Sequence, residues 1–239
     1  MTTEPKILAE HDREFAERYG IPMNDNRYYR EEVGIASVDE QRWQAAQAVE
    51  RYTWFELCRG FDDDRSREHF ERFAAYQAVP EDCGAVLEVG CGPFTQSRTI
   101  LQGRSLSSLT LLDPLLAEYM DLEHCSYKDG HLYGCPVSLL SIPAEKLPRN
   151  LKFDTVICIN VLEHVRDAET VLARMTAALR DGGTLVLGEH CHDDYHPSQE
   201  FNLAHPIMLK RAFLEQATRP LRRLYLNKDG DFFYLISQK

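Results

Sequence analysis

The chain lacks any run of about 18 apolar residues, the length a helix needs to cross a bilayer, so no membrane partner is expected. Its N-terminal stretch, MTTEPKILAEHDREF, is charged and has no apolar h-region of the kind found in secretion signals, which points to a cytoplasmic protein. Net positive charge is also missing: 27 Lys and Arg face 38 Asp and Glu, for a formal charge of −11. That balance repels a phosphate backbone unless a local basic patch overrides it, so nucleic acid is not expected as a partner. The seven cysteines (58, 83, 91, 125, 135, 158 and 191) are odd in number and never spaced C-x-x-C. Neither a disulfide framework nor a zinc knuckle is implied, and reduced thiols fit best. Internal repeats, low-complexity tracts and long linkers are absent too.

What is present is a composition, 44% hydrophobic and 27% charged over 239 residues, that suits one globular domain with an added cap. From residue 85 short apolar runs alternate with helical patterns, the signature of a parallel α/β sheet. The runs are 85–89, 109–112, 136–140, 155–159 and 184–187. Between the last two, Asp167 can cap a helix whose apolar positions Val171, Leu172, Met175 and Leu179 recur at helical spacing, with Gly182-Gly183 as its stop. Two further strands, 221–226 and 232–236, flank Asp229-Gly230 and read as a terminal antiparallel hairpin. Residues 1–80 hold no clear strand. They read as a helical cap, with a helical pattern at Phe70, Phe73, Ala74 and Gln77 behind Asp62-Asp63-Asp64, and with aromatic residues Tyr28, Tyr29, Trp43, Tyr52, Trp54 and Phe55. The cap is expected to contribute to an acceptor site on a domain spanning 81–239.

The chemistry starts at Glu88-Val89-Gly90-Cys91-Gly92. A glycine-rich turn after a strand lets backbone approach a ligand, and a following helix offers free N–H groups. A carboxylate at Glu88 would repel a pyrophosphate but suits a ligand bearing an ammonium and a sulfonium. A dinucleotide would also prefer glycine at position 95, where Thr95 stands, so an NAD-linked oxidoreductase is disfavoured. The second strand ends at Asp113-Pro114, 113 − 90 = 23 residues on, close to the spacing of about 20 at which an acidic side chain meets a ribose diol.

The segments VLEVGCGP, LLDP, AEKLP, FDTVICINVLEHV and LRDGGTLVLGEH, in this order over residues 80–190, resemble the motifs of class I, Rossmann-like S-adenosylmethionine-dependent methyltransferases. The resemblance implies a seven-stranded, mostly parallel sheet of order 3-2-1-4-5-7-6 with helices on both faces. It implies that Glu88, Gly90, Cys91 and Gly92 surround the methionine part of S-adenosylmethionine, that Asp113 and Pro114 meet the ribose, that Ala144 and Glu145 border the adenine, and that the Asn160-Val161 backbone flanks the sulfonium. Pro93-Phe94 departs from the pattern, since many relatives have a more glycine-rich loop there.

Methyl transfer is an in-line displacement, so an enzyme chiefly positions donor and nucleophile and excludes water. A hydroxyl or protonated amine acceptor also needs a base, expected at the carboxyl ends of the fourth and fifth strands. His190, His164 and Glu189 are the candidate catalytic residues there. His205-Pro206 opens the next helical pattern (Ile207, Leu209, Phe213, Leu214) and resembles a pair that borders the acceptor pocket in relatives. The segment from Glu189 to His196, EHCHDDYH, is rich in possible metal ligands but matches no ligand template, and it reads as a polar loop with no metal assigned. The fourth-strand turn lacks the Asn/Asp-Pro-Pro-aromatic signature of base and glutamine methylation and the Pro-Cys of cytosine methylation. With the acidic balance, this favours a small-molecule acceptor, first a hydroxyl of a sugar or secondary metabolite. The alternatives are a small amine or peptide, or a binding module without turnover. A homodimer is one arrangement the sequence admits.

Overall fold

Apolar runs that alternate with helical segments build a single sheet in the computed structural model, which describes residues 4–21, 36–62, 78–193 and 203–239. The strands are β1 (Ala85–Val89), β2 (Ser108–Leu112), β3 (His131–Leu132), β4 (Cys135–Leu140), β5 (Phe153–Ile159), β6 (Leu179–His190), β7 (Arg222–Asp229) and β8 (Phe232–Gln238). Their order across the sheet is β3-β4-β2-β1-β5-β6-β8-β7. With the two-residue edge strand β3 set aside, this is the expected seven-strand order. β4, β2, β1, β5 and β6 run parallel, and β8 and β7 close the far edge antiparallel.

β1 is buried on both faces, as a central parallel strand must be. Leu87 and Val89 point into one apolar cluster, which contains Val171, Leu172, Met175 and Leu214. Val86 points into the other, with Ile100, Leu101, Tyr119 and Tyr127. Complete burial of a side chain such as Leu87 contributes up to about 1.5–3 kcal/mol. The helices covering the sheet are α3 (Ser97–Ile100), α4 (Leu116–Tyr119), α5 (Ala168–Ala178) and α6 (Arg211–Thr218).

The cap comprises α1 (Glu4–Arg18), α2 (Glu40–Tyr52) and a π-helical turn at Thr53–Leu57. α1 and α2 bury Ala16, Ile21, Ala45 and Val49 together with Leu203, which lies beyond β6. Arg42, 1% exposed, donates to the Leu203 carbonyl at 2.5 Å, and Asp12 accepts from the Leu203 N–H at 3.3 Å. The helix expected at Phe70, Phe73, Ala74 and Gln77 lies outside the described residues, as do Tyr28, Tyr29, Asp194, Tyr195 and His196.

Two helix boundaries differ from expectation. α5 starts where predicted, with Asp167 accepting from the Thr170 N–H at 3.0 Å, but it stops at Ala178. Leu179 is extended and pairs with Phe153, so it serves the core from a strand, and Gly182-Gly183 lies within β6. α6 begins at Arg211, after His205-Pro206. Residues 207–209 stay extended because the Ile207 N–H bonds the Glu163 carbonyl at 3.2 Å and the Leu209 carbonyl accepts from the His192 N–H at 2.7 Å.

Candidate functional site

The chain leaves β1 through Gly90 and Gly92, both left-handed, at φ of 67° and 52°. A side chain at Gly90 would place its Cβ 2.4 Å from Val161 Cγ1, so only glycine fits. At Gly92 nothing lies within 4 Å of that position, which leaves room for a ligand to approach the main chain. The Gly90 N–H bonds the Leu112 carbonyl at 2.7 Å and ties the turn to β2. The next residue, Asp113, accepts from the Gly92 N–H at 3.2 Å and the Leu115 N–H at 2.9 Å. Burial raises its carboxyl to about 7, against the opposing pull of those two N–H groups. Asp113 therefore both shapes the turn before Pro114 and retains acceptor capacity on each oxygen.

Tyr127 and Ser126 hold the loop from its far side. Tyr127 donates to the Gly92 carbonyl at 2.8 Å, and Ser126 Oγ donates to the Pro93 carbonyl at 3.1 Å and accepts from the Thr95 N–H at 3.0 Å. Phe94 is buried, edge-on to Trp54 of the cap at 5.7 Å, with the Arg98 guanidinium 5.4 Å over its ring. Pro93-Phe94 thus replaces loop glycine with an apolar anchor that joins the turn to the cap.

Both carboxylate oxygens of Glu88 are engaged by protein donors. It is 2% exposed and points along the loop to the start of α3. It accepts from the Gln96 N–H at 2.7 Å, the Ser97 N–H at 3.0 Å, Ser97 Oγ at 2.5 Å and the Thr95 hydroxyl. Burial raises its carboxyl, and these donors oppose the rise. The side chain fixes the glycine turn through its own hydrogen bonds. Cys91, its Sγ 3.8 Å from Tyr127 Oη, is likewise buried in protein.

Ala144 is buried in the core beneath the turn after β4. Glu145 accepts from the Arg166 and Asp167 N–H groups at 2.8 and 3.0 Å, linking this turn to the start of α5. After β5, Asn160 is left-handed at φ 57°, and its N–H bonds the Gly188 carbonyl at 2.6 Å. Val161 follows, packed on Gly90. Glu189, read from sequence as a possible base, is fully buried and accepts from the Val161 N–H at 3.2 Å and the Leu162 N–H at 3.1 Å. Burial raises its carboxyl well above the ordinary range, and the nearby Glu163 adds to the effect. Its hydrogen bonds commit it to holding the Asn160–Leu162 turn.

Four histidines collect around Glu163, a residue the sequence did not single out as a site. Glu163 is 1% exposed. Its Oε2 lies 3.0 Å from His192 Nε2, 3.6 Å from His205 Nδ1 and 4.0 Å from His190 Nδ1, and its Oε1 lies 3.7 Å from His164 Nε2. Burial pushes the Glu163 carboxyl up, but His205, His192 and His164 together hold it well below the usual carboxylate range. Burial takes His205 down to about 4, against the attraction of Glu163. His164 Nδ1 lies 3.1 Å from the Ala204 carbonyl, and the His164 carbonyl accepts from Trp43 Nε1 at 3.2 Å and Gln47 Nε2 at 3.3 Å. α2 therefore sits directly on the histidine cluster. Glu50 of α2 also reaches it, 3.9 Å from His164 Nδ1, and its charge helps raise Asp113.

The residues present fit the adenosyl donor that the motifs imply. A turn closed to any Cβ at Gly90 but open at Gly92, beside a buried carboxylate with unused lone pairs, is a cradle for a ligand with a hydroxylated ribose. Sequence missed Tyr127, Ser126, Glu50 and Glu163 because each acts through distant partners. For Glu163 the signal was the Glu-His pair after β5 combined with His-x-His after β6.

Comparison with known proteins agrees with the geometry. The family described as a methyltransferase domain matches residues 87–185. A tRNA U34 carboxymethyltransferase of Saccharophagus degradans is 34% identical over 106 residues, 43% of this chain and 31% of that protein. The match thus spans about a third of the curated relative's length. Among solved structures, an O-methyltransferase family protein from Burkholderia thailandensis aligns with TM-score 0.63 and 15% identity over 99% of this chain and 70% of that one. The N-methyltransferase NodS from Bradyrhizobium japonicum WM9, in complex with S-adenosyl-l-homocysteine, aligns with TM-score 0.59 and 14% identity over 83% and 98%. At such identities the structures establish the fold. Residues 87–185 thus match a methyltransferase domain, and the chain shares its fold with solved methyltransferases.

Proposed function

We propose that this chain is an S-adenosylmethionine-dependent methyltransferase acting on a hydroxyl of a small molecule, with the helical cap bordering the acceptor site. The observation that carries the donor half is the pairing of Asp113 with the left-handed Gly92, which sets a carboxylate beside backbone that has room for a ligand. In this reading Asp113 accepts from the ribose hydroxyls, the Gly90–Gly92 backbone receives the methionine part, and the Asn160–Val161 turn borders the methyl group. Ala144 and Glu145 lie in the turn expected to border the adenine. The cofactor, when bound, supplies a methyl group activated by a sulfonium. The chain's own residues orient the acceptor, exclude water through the cap aromatics Trp43 and Trp54, and take up the hydroxyl proton at the imidazoles facing Glu163.

The curated relatives suggest a second acceptor, a uridine of tRNA, and with it carboxymethyl rather than methyl transfer. The net charge of −11 favours the small molecule. Calorimetry with S-adenosylmethionine tests the donor half: Asp113→Ala should remove most binding, and unchanged affinity would reject the ribose assignment. A transfer screen with labelled cofactor, run against metabolite pools and against bulk tRNA, tests the acceptor. Label appearing only in tRNA would overturn the small-molecule reading, and cofactor binding without any product would favour a binding module.

A further inference from the structure

The His-rich end of the sheet has more order than a polar loop over an active site requires. His190 and His192 lie two residues apart on extended chain, so their side chains project to the same side. Main-chain bonds fix both: the Cys191 N–H bonds the Asp231 carbonyl at 2.6 Å and the His192 N–H bonds the Leu209 carbonyl at 2.7 Å. Both rings face Glu163 Oε2, and one ligand atom from each of Glu163, His190 and His192 lies within 4.8 Å of the others. A carboxylate 1% exposed requires positive charge close by. Among the described residues no Lys or Arg pairs with Glu163, and its ionic partners are all imidazoles.

From this arrangement we propose that Glu163, His190 and His192 form a site for one divalent transition-metal cation of the zinc class, placed to polarise the oxygen of the acceptor. The proposal rests on the methyltransferase reading for the ion's role, but not for its binding. Donors held about 2.1 Å from a common tetrahedral ion stand roughly 3.4 Å apart. The His192 and His190 separations from Oε2, 3.0 and 4.0 Å, lie on either side of that value, so shifts of about half an ångström would bring all three donors to one ion. Two imidazoles and a carboxylate select zinc-like cations over magnesium or calcium, which prefer all-oxygen sets.

The surroundings match a catalytic site better than a structural one. His190 turns Nδ1 toward Glu163, and its Nε2 faces Asp231 Oδ2 at 4.0 Å, an ion-pair distance longer than a hydrogen bond. The His190 and His192 side chains remain 32% and 15% exposed, so further coordination positions can open to a substrate. His164 and His205, edge to face at 4.6 Å, form a second group with Glu163, but His164 is already joined to Ala204 and faces Glu50. The site also lies at the carboxyl ends of β5 and β6, and the segment carrying Glu163 runs directly from the Asn160–Val161 turn. An acceptor hydroxyl polarised there loses its proton more readily, to the His164 imidazole that faces Glu163 and is not used as a ligand. The oxygen lone pair then forms the new C–O bond as the methyl C–S bond breaks, and that electron pair stays on sulfur, which departs as a neutral thioether.

The test uses the full chain freed of metal with a chelator, titrated with ZnCl₂ by calorimetry and with CoCl₂ by visible absorption. One ion should bind per chain. His190→Ala/His192→Ala and Glu163→Gln should each weaken it at least tenfold, and the exposed His131→Ala should leave it unchanged. Circular dichroism identifies any variant that fails to fold, and His192→Gln then serves as the milder substitution. Equal affinity in wild type and the double variant, or no cobalt d–d absorption in wild type, overturns the site. A loss confined to His164→Ala and His205→Ala overturns this choice of ligands. S-adenosylmethionine is titrated into the same samples: retained cofactor binding without metal binding refutes the metal site alone, whereas metal binding without cofactor binding refutes the ion's assigned role in methyl transfer.

Discussion

In the proposed site, the buried carboxylate of Asp113 would join folding to ligand binding. Its carboxyl is raised to about 7 in the fold, chiefly by burial, so between the ordinary aspartate value near 4 and about 7 the folded chain holds a proton that the unfolded chain has released. Its contribution to stability therefore falls as pH rises through that window. Cofactor binding has the opposite sign, because ribose hydroxyls donate to the ionised form. Affinity for S-adenosylmethionine should rise about tenfold per pH unit from 5.5 to 7 and flatten above, and Asp113→Asn should flatten the whole profile. Calorimetry at fixed ionic strength measures both, and a flat wild-type profile would contradict the ribose role. Glu189 offers a test of a different kind. Glu189→Gln keeps an oxygen for the Val161 and Leu162 N–H groups and should retain most activity, whereas Glu189→Ala leaves those donors unpaired at about 1–3 kcal/mol each. Were Glu189 the base, glutamine would abolish turnover while melting stayed normal.

Among elements, the turns that position the site depend on contacts that sequence periodicity does not carry. Gly90→Ala should cost about 1–2 kcal/mol for the left-handed backbone and about 1–3 more for the collision with Val161, measurable as reduced denaturant stability and reduced cofactor affinity. The parallel strands were legible because burial on both faces leaves unbroken apolar runs, and Gly90, Gly92 and Asp113 were legible because turn and spacing are local. The end of α5 was not: Leu179 continues the 3.6-residue spacing, yet its pairing with Phe153 draws it into β6. His205-Pro206 looked like a helix start, but bonds to Glu163 and His192 keep 207–209 extended. The role of Glu163 was hard to read for the same reason: the Glu-His pair and the His-x-His were both present, but its histidines arrive from three separate stretches of chain that only the fold brings together. α2 fastens one of those stretches through Arg42 and the Leu203 carbonyl. Arg42→Ala should accelerate amide exchange over 203–209 while leaving β1 and β5 protected, and exchange followed by mass spectrometry would show whether cap and loop are coupled in this way.

For the molecule as a whole, the proposed donor site lies where the sheet order reverses: β2 and β4 extend from one side of β1, while β5 and β6 extend from the other. Such a switch point opens a crevice at the carboxyl ends of the strands, and a ligand there touches both halves. The two apolar clusters lie on opposite faces of the sheet, and the cap rests on the loops at this same end, through Trp54 against Phe94 and Trp43 against the His164 carbonyl. A ligand spanning Gly92, Asp113 and the Asn160–Val161 turn therefore stabilises contacts between halves that otherwise meet through β1 and β5. Mass action sets the scale: at a hundred times its dissociation constant, a ligand that binds only the folded state adds about 2.7 kcal/mol. In a chain of this size that corresponds to a rise in melting temperature of roughly 5–10 °C. Thermal unfolding with S-adenosylmethionine should show that rise in wild type and in His190→Ala/His192→Ala, and should lose most of it in Asp113→Ala. A rise equally large in Asp113→Ala would place the adenosyl group somewhere other than the β1–β2 crevice.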